Sequence, residues 1–297
     1  MSTQENKKMT YVRLGNSGLK VSRLILGLMS YGSKEWANWV VEEEEAIQHI
    51  KVAYEEGIQT FDTANMYSNG ESERIFGKAI KQLNLPRDEI VVMTKLYAVV
   101  GRNPGDSNYI GDSLKAEANG YVNQYGLSRK HVFEAIKHSL ERLQLDYVDV
   151  FQFHAMQNYA INNKLTPFIP MQNHYNLLYR EEEREMIPTL KMFGVGMILW
   201  SPLARGTLFA KAMDTTKESN NEIISRVEKI AKSRGISMAQ VGLAWHLSKD
   251  YTSAPVIGIT KLKNFEDTIG AIHVKLTEEE IKLLEEPYGP RGIVGHF

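Results

Sequence analysis

Phe61-Asp62-Thr63-Ala64-Asn65-Met66-Tyr67 decides how the rest of the chain is read. Gln59 to Ala64 reads as a short strand, and the loop after it carries a carboxylate and then a phenol. In a barrel of parallel strands the reacting groups sit where strands end and loops begin. An Asp at such an end, with a Tyr in the following loop, is placed for proton transfer. Each also has a structural reading, Asp62 as a cap before Thr63 and Tyr67 as a rim aromatic. What stands at the other strand ends decides between them.

Upstream, Val21 to Gly27 is a short apolar run ending in glycine, read as the first buried strand, with Leu28 to Gly32 as the loop at its end. Glu43 to Glu56 has helical periodicity through Ala46, Ile47, Ile50, Ala53 and Tyr54, with Gly57 just past it. Downstream, Glu71 to Leu83 repeats that pattern and Pro86 stops it. Ile90 to Thr94 is a strand with Lys95 at its end. Tyr97 to Gly126 is a long polar loop, of a length that in compact domains points to a functional lid or to disorder. Ser128 can cap the next helix, and Tyr147 to Phe153 is a fourth strand that ends at His154.

Beyond it the pattern predicts a short helix over Met156–Asn163, a strand over Phe168–Gln172 and a helix over Glu181–Phe193. A strand Val195–Trp200 and the turn Ser201 to Gly206 follow. Helices over Glu222–Ser233 and Met238–Ser248, a strand Pro255–Ile259 and a helix Asn264–Ile272 come next. Thr277 and Glu280 make a capping box for a last helix. Strand–helix alternation means a parallel sheet with helices outside, and the count is seven strands, one short of a closed eight-stranded barrel.

At 297 residues with a net charge of −1, the chain suits one large α/β domain and has no basic excess for nucleic acid. It has no cysteine, hence no disulfide or thiolate metal site, and no metal site is expected. Met1 to Lys8 is polar without an apolar centre, so it is not read as a secretory signal, and residues 1–9 are expected to be a disordered tail. No apolar run approaches the ~20 residues that cross a bilayer. The expectation is one cytosolic domain over 1–297, with no membrane or nucleic-acid partner.

Asp62, Tyr67, Lys95 and His154 thus stand at or just after three successive strand ends. A phenol ionises near pH 10, so it is a poor acid unless a neighbouring ammonium stabilises its anion. Lys95 can be that ammonium, Asp62 its counter-charge, and His154 a group that orients a substrate oxygen. The set suits protonation of a developing alkoxide, as in carbonyl reduction. Hydride cannot come from a side chain, so a nicotinamide cofactor is implied. Lys95 as a solvated charge and His154 as a hydrogen-bonded structural imidazole are the alternative readings.

Further motifs are Arg13-Leu14-Gly15 with Ser17-Gly18-Leu19, Met93-Thr94-Lys95, Gln172-Asn173, Tyr175-Asn176, Tyr179-Arg180-Glu181 through Arg184-Glu185, and Trp200 through Gly206. With these in order, the chain resembles the aldo-keto reductases over almost its whole length, and within them the fungal aryl-alcohol dehydrogenase-like reductases. The resemblance implies a (β/α)8 TIM-type barrel, NADPH as hydride donor and a small carbonyl or alcohol substrate. It implies Tyr67 as general acid, Lys95 as modulator of its acidity, Asp62 as the lysine's partner and His154 as substrate orienter. For the cofactor it implies Gly27 and Met29, Gln172 on the nicotinamide amide, and Trp200 stacked on the ring. Ser201, Leu203, Arg205 and Gly206 would follow the diphosphate, and Gly258, Ile259, Thr260 and Lys261 the 2′-phosphate end. The glycine-rich Rossmann fingerprint is absent here, as it is in that family.

One departure stands out. Between His154 and Met171 there is room for one crossover, where the relatives place a helix, a strand and another helix. The barrel is therefore expected to lack one helix–strand unit, leaving about seven strands and unpaired strand edges. The same loss admits a rival reading, a catalytically weak nucleotide-binding module or an inactive shortened paralogue.

Overall fold

The computed structural model describes residues 9–152, 168–208 and 218–293. Contacts gather the chain into two compact units, one of residues 26–159 with 258–260 and one of residues 1–25, 160–257 and 261–296. The chain opens with an antiparallel hairpin, β1 (Tyr11–Arg13) and β2 (Lys20–Ser22). Among the described residues seven further strands follow, alternating with helices as in a (β/α)8 barrel that is one strand short.

The first unit carries β3 (Ile25–Gly27), β4 (Thr60–Asp62), β5 (Val91–Lys95) and β6 (Val150–Gln152), all parallel, in the order β6-β5-β4-β3. Phe61 on β4 and Phe76 on the helix Glu71–Gln82 are fully buried with ring centroids 4.9 Å apart. Burying a side chain of that size contributes about 1.5–3 kcal/mol. The same helix lies against the helix Arg129–Leu143, which starts where the Ser128 hydroxyl accepts the His131 N–H at 3.2 Å. Gly77 makes that approach possible, since a Cβ there would sit 2.5 Å from the Leu143 carbonyl oxygen. Beside it Arg142 donates to the buried Glu73 carboxylate at 2.6 Å, and Thr94 donates to its other oxygen at 2.6 Å. This ion pair anchors the helix next to Lys95.

The second unit carries β7 (Pro170–His174), β8 (Gly196–Trp200) and β9 (Thr252–Gly258), parallel and in the order β9-β8-β7. Tyr175 and Trp245 stack at 5.3 Å in its core. Thr277 and Glu280 form the expected capping box at the start of the helix Glu278–Glu285.

Several expectations change. Val21–Gly27 is not one strand: the chain turns at Arg23, whose guanidinium takes the carbonyls of Leu247, Thr252 and Ser253. The Tyr97–Gly126 loop contains a helix, Ser113–Ala118, started by the Asp112 carboxylate. It also has its own apolar cluster of Val99, Ala116 and Tyr121, with Tyr109 and Tyr125 packed against it. The strand expected over Phe168–Gln172 runs two residues later, because proline is accepted as a strand's first residue. Residues 1–8 of the expected tail, the helix over Met156–Asn163 and His154 lie outside the described residues, whereas Met9, the tail's expected last residue, is buried against the fold. The helix expected over Glu222–Ser233 begins four residues earlier, as Glu218–Arg234.

Candidate active site

Parallel register aligns the carboxyl ends of β4, β5 and β6: Asp62 pairs with Met93, and Lys95 with Gln152. The pairing runs past the strands, with Thr63 N–H on the Met93 carbonyl at 2.9 Å and Asn65 N–H on the Lys95 carbonyl at 3.1 Å. Three side chains therefore meet. The Lys95 ammonium donates to Asp62 Oδ2 at 2.7 Å and to the Thr63 carbonyl at 2.7 Å. Gln152 Nε2 donates to the other carboxylate oxygen at 2.9 Å. Asp62 is only 3% exposed, so both oxygens need these partners.

Tyr67 follows on a turn in which Ser68, Asn69 and Gly70 are all left-handed, with φ of 47°, 53° and 94°. Gly70 takes this conformation freely and Asn tolerates it, whereas Ser68 is held there by contacts. Its hydroxyl accepts the Ser33 N–H at 3.2 Å and fills the space where a Gly32 side chain would begin. The turn delivers the phenol to Lys95, whose ammonium lies 5.0 Å from the ring centroid. Trp36 stands on the other side, its ring 6.5 Å from that of Tyr67 and 5.9 Å from Trp39.

The electrostatics follow from this packing. Burial raises the Tyr67 pKa above its ordinary value, and Lys95 pulls it back by charge and hydrogen bonding. The phenol therefore keeps its proton at neutral pH but has a cation ready for its anion. For Lys95, burial favours the neutral amine, but Asp62 and Tyr67 together outweigh it and raise the ammonium's pKa. A lysine charged across the working range results.

Of the residues matched to a cofactor, five belong with the first unit as strand ends or loops. Gly27 ends β3 in the buried core, Met29 is exposed just after it, Gly258 ends β9, and buried Ile259 precedes exposed Thr260. In the second unit Gln172 lies mid-strand on β7 rather than at its end, and its Nε2 is buried with no partner among the described residues. Trp200 ends β8 and stacks on His174 at 4.1 Å, which stacks in turn on Tyr179 at 4.5 Å. Burial and the nearby Arg205 push the His174 imidazole down to about 4, so the column is neutral. Ser201, Ala204, Arg205 and Gly206 have left-handed backbone, Leu203 is buried, and the Arg205 and Lys261 side chains are exposed. An amide donor with no partner among the described residues, an aromatic face and the exposed Arg205 and Lys261 cations suit a nicotinamide, its carboxamide and phosphates, so these residues fit a dinucleotide.

A sequence model of the Aldo/keto reductase family matches residues 23–161 and 155–288. The chain belongs to the aldo/keto reductase family. Versiconal hemiacetal acetate reductase of Aspergillus parasiticus is 40% identical over 343 residues, covering 96% of this chain and 98% of its own. The aryl-alcohol dehydrogenase-like protein C977.14c of Schizosaccharomyces pombe is 42% identical over 349 residues, covering 97% and 98%. Aldo-keto reductase dtxS3 of Metarhizium robertsii is 40% identical over 348 residues, covering 97% and 94%. These alignments are longer than the 297-residue chain, so this aldo/keto reductase lacks a stretch its relatives carry. The two matched segments of the family meet at 155–161, the seam where a helix–strand unit was expected to be missing. The family is one of oxidoreductase enzymes that act on small carbonyl compounds. Among the described residues no helix is long and apolar enough to cross a membrane, and no three acidic or histidine side chains cluster as metal ligands.

Gln152, His174 and Trp36 have no role in the sequence reading. Gln152 had a usable signal, a polar residue inside the otherwise apolar Val150–Phe153 run. Nothing local marked Trp36, which meets Tyr67 across 31 positions of chain.

Proposed function

We propose that this aldo/keto reductase reduces an aldehyde or ketone to the alcohol with NADPH, Tyr67 supplying the proton. The observation that carries the reading is the Lys95 ammonium, bonded to Asp62 on one side and 5.0 Å from the Tyr67 ring on the other. When bound, the nicotinamide supplies the hydride that the carbonyl carbon accepts. As electron density moves to the carbonyl oxygen, Tyr67 transfers its hydroxyl proton there and becomes a phenolate. Lys95 stabilises that anion without giving up its own proton, because Asp62 holds the ammonium in its charged form. Solvent returns a proton to the phenolate after the alcohol leaves. His154 orients the carbonyl oxygen, a role that rests on the family resemblance.

Gln172, Trp200, Ser201, Leu203, Arg205, Gly206, Gly27, Met29, Gly258, Ile259, Thr260 and Lys261 hold the cofactor in this reading. The unpartnered Gln172 amide supports the nicotinamide end, and the Lys261 cation favours a 2′-phosphate and hence NADP over NAD. The test uses the full chain with an aromatic aldehyde. Fluorescence quenching reads NADPH and NADH binding, and alcohol formation reads chemistry. Turnover with tighter binding of NADPH supports the proposal; binding without turnover makes the chain a nucleotide-binding module and overturns it.

A further inference from the structure

Two asparagine side chains join the Tyr67 turn to the long loop after β5. Asn69, 6% exposed, accepts the Gly101 N–H at 2.7 Å and the Asn108 amide at 2.6 Å on its Oδ1. Its Nδ2 faces the carbonyls of Asn103, Pro104 and Asp106 at 3.0, 2.9 and 2.9 Å. Asn108, 9% exposed, also donates to the Val99 carbonyl at 2.9 Å and lies 3.5 Å from that of Met66. Its Oδ1 accepts the Trp36 indole N–H at 3.1 Å. Since the Trp36 ring stands against Tyr67, the contacts close a circuit from Tyr67 along its own turn to Asn69, on to Asn108, to Trp36 and back.

A bond set whose only purpose was to fold the loop would duplicate what the loop already has. Val99, Ala116 and Tyr121 give it an apolar cluster of its own, and the Asp112 cap starts its helix. The asparagines supply what that cluster cannot, the register of the loop against the turn that carries the phenol. We propose that Asn69 and Asn108 are positioning residues for the reduction: they lock Trp36, the Tyr67 turn and the loop 99–108 into one arrangement, so that the phenol and the indole wall keep a fixed relation. The inference rests on the reading of Tyr67 as the acid. Proton transfer needs the donor within hydrogen-bond reach of the carbonyl oxygen, and a displacement of about 1 Å can cost about a hundredfold in rate.

The experiment uses the full chain with Asn69→Gly, Asn108→Ala and the double variant. Glycine at 69 keeps the left-handed backbone and removes only the side-chain bonds. Protein labelled with 5-fluorotryptophan gives a fluorine spectrum in which Trp36→Phe identifies the Trp36 resonance. Asn69 does not touch Trp36, so a displaced Trp36 resonance in Asn69→Gly reports transmission through Asn108, with or without activity. Each single variant is expected to displace that resonance and to lower kcat about tenfold or more, with the KM for NADPH unchanged. The double variant should be no slower than the slower single, because the residues act as a unit. An unmoved Trp36 resonance in Asn69→Gly overturns the proposal. So does a wild-type kcat in variants that only melt earlier, or a double variant that multiplies the two losses. If the wild type shows no turnover, the Tyr67 reading fails, and the fluorine spectrum alone decides whether the coupling exists.

Discussion

Lys95→Met removes the cation that stands beside the Tyr67 ring and would stabilise its phenolate. With the ammonium 5.0 Å from the ring centroid and an effective dielectric of about 20, its charge contributes about 3 kcal/mol to holding the phenolate. Burial then acts on the phenol unopposed and raises its pKa further. General acid catalysis contributes about 10²–10⁴-fold, so kcat should fall about a hundredfold or more. The variant has a second effect that must be separated from the first. Asp62, 3% exposed, keeps among the described residues only the Gln152 amide, and breaking a buried pair on one side costs about 3–5 kcal/mol of stability. Asp62→Asn combined with Lys95→Met removes the orphaned charge and should recover most of that stability without recovering activity. The assay pairs urea denaturation with the pH dependence of kcat and of kcat/KM for an aromatic aldehyde. A stable double variant that turns over at the wild-type rate would refute the reasoning, because the ammonium would then have no part in the acid's function.

Glu73→Gln leaves the Arg142 guanidinium buried without its carboxylate and should cost about 3–5 kcal/mol in urea denaturation. Gly77→Ala sets two effects of opposite sign against each other. Helix propensity favours alanine by about 1 kcal/mol, while the new Cβ meets the Leu143 carbonyl oxygen at 2.5 Å. Overpacking of this kind costs about 1–3 kcal/mol, so the melting temperature should drop; a rise would mean that the helices part easily. Acidification should also destabilise the protein. Burial pushes His246, whose Nε2 donates to the Pro202 carbonyl, down to about 4. Between that value and the unfolded ~6.5 the unfolded chain binds more protons, so stability present near pH 7 is lost as pH falls. Unfolding free energies from urea titrations at pH 7 and 5 should differ by about 2 kcal/mol from His246 alone, and equal values would contradict its burial as a neutral group.

The fold was legible wherever local chemistry decides it. Ser128 and Thr277 cap helices because their hydroxyls reach N–H groups three residues on, and this can be read from spacing. Asp62 and Lys95 end adjacent strands because each closes an apolar run, and parallel pairing then brings them together. What stayed hidden depends on distant chain. The turn at Arg23 interrupts a run that reads as continuous, and its cause is three carbonyls more than 200 residues away. The helix Ser113–Ala118 has one buried residue, Ala116, too few for a period to show. Gln152 gains its role only when β6 lies beside β5, and Asn108 gains its role only when the loop folds back on Tyr67. Gln172 was misplaced within its strand because the pairing with β8 runs from Pro170 to His174, a register that the partner strand sets.

The most direct measurement compares intact wild type with Tyr67→Phe, quantifying alcohol formed from an aromatic aldehyde and NADPH while cofactor affinity is followed by fluorescence quenching. Losing only the hydroxyl should abolish turnover and leave NADPH affinity little changed. Product formed by the phenylalanine variant at a rate near that of the wild type would mean that the proton comes from elsewhere.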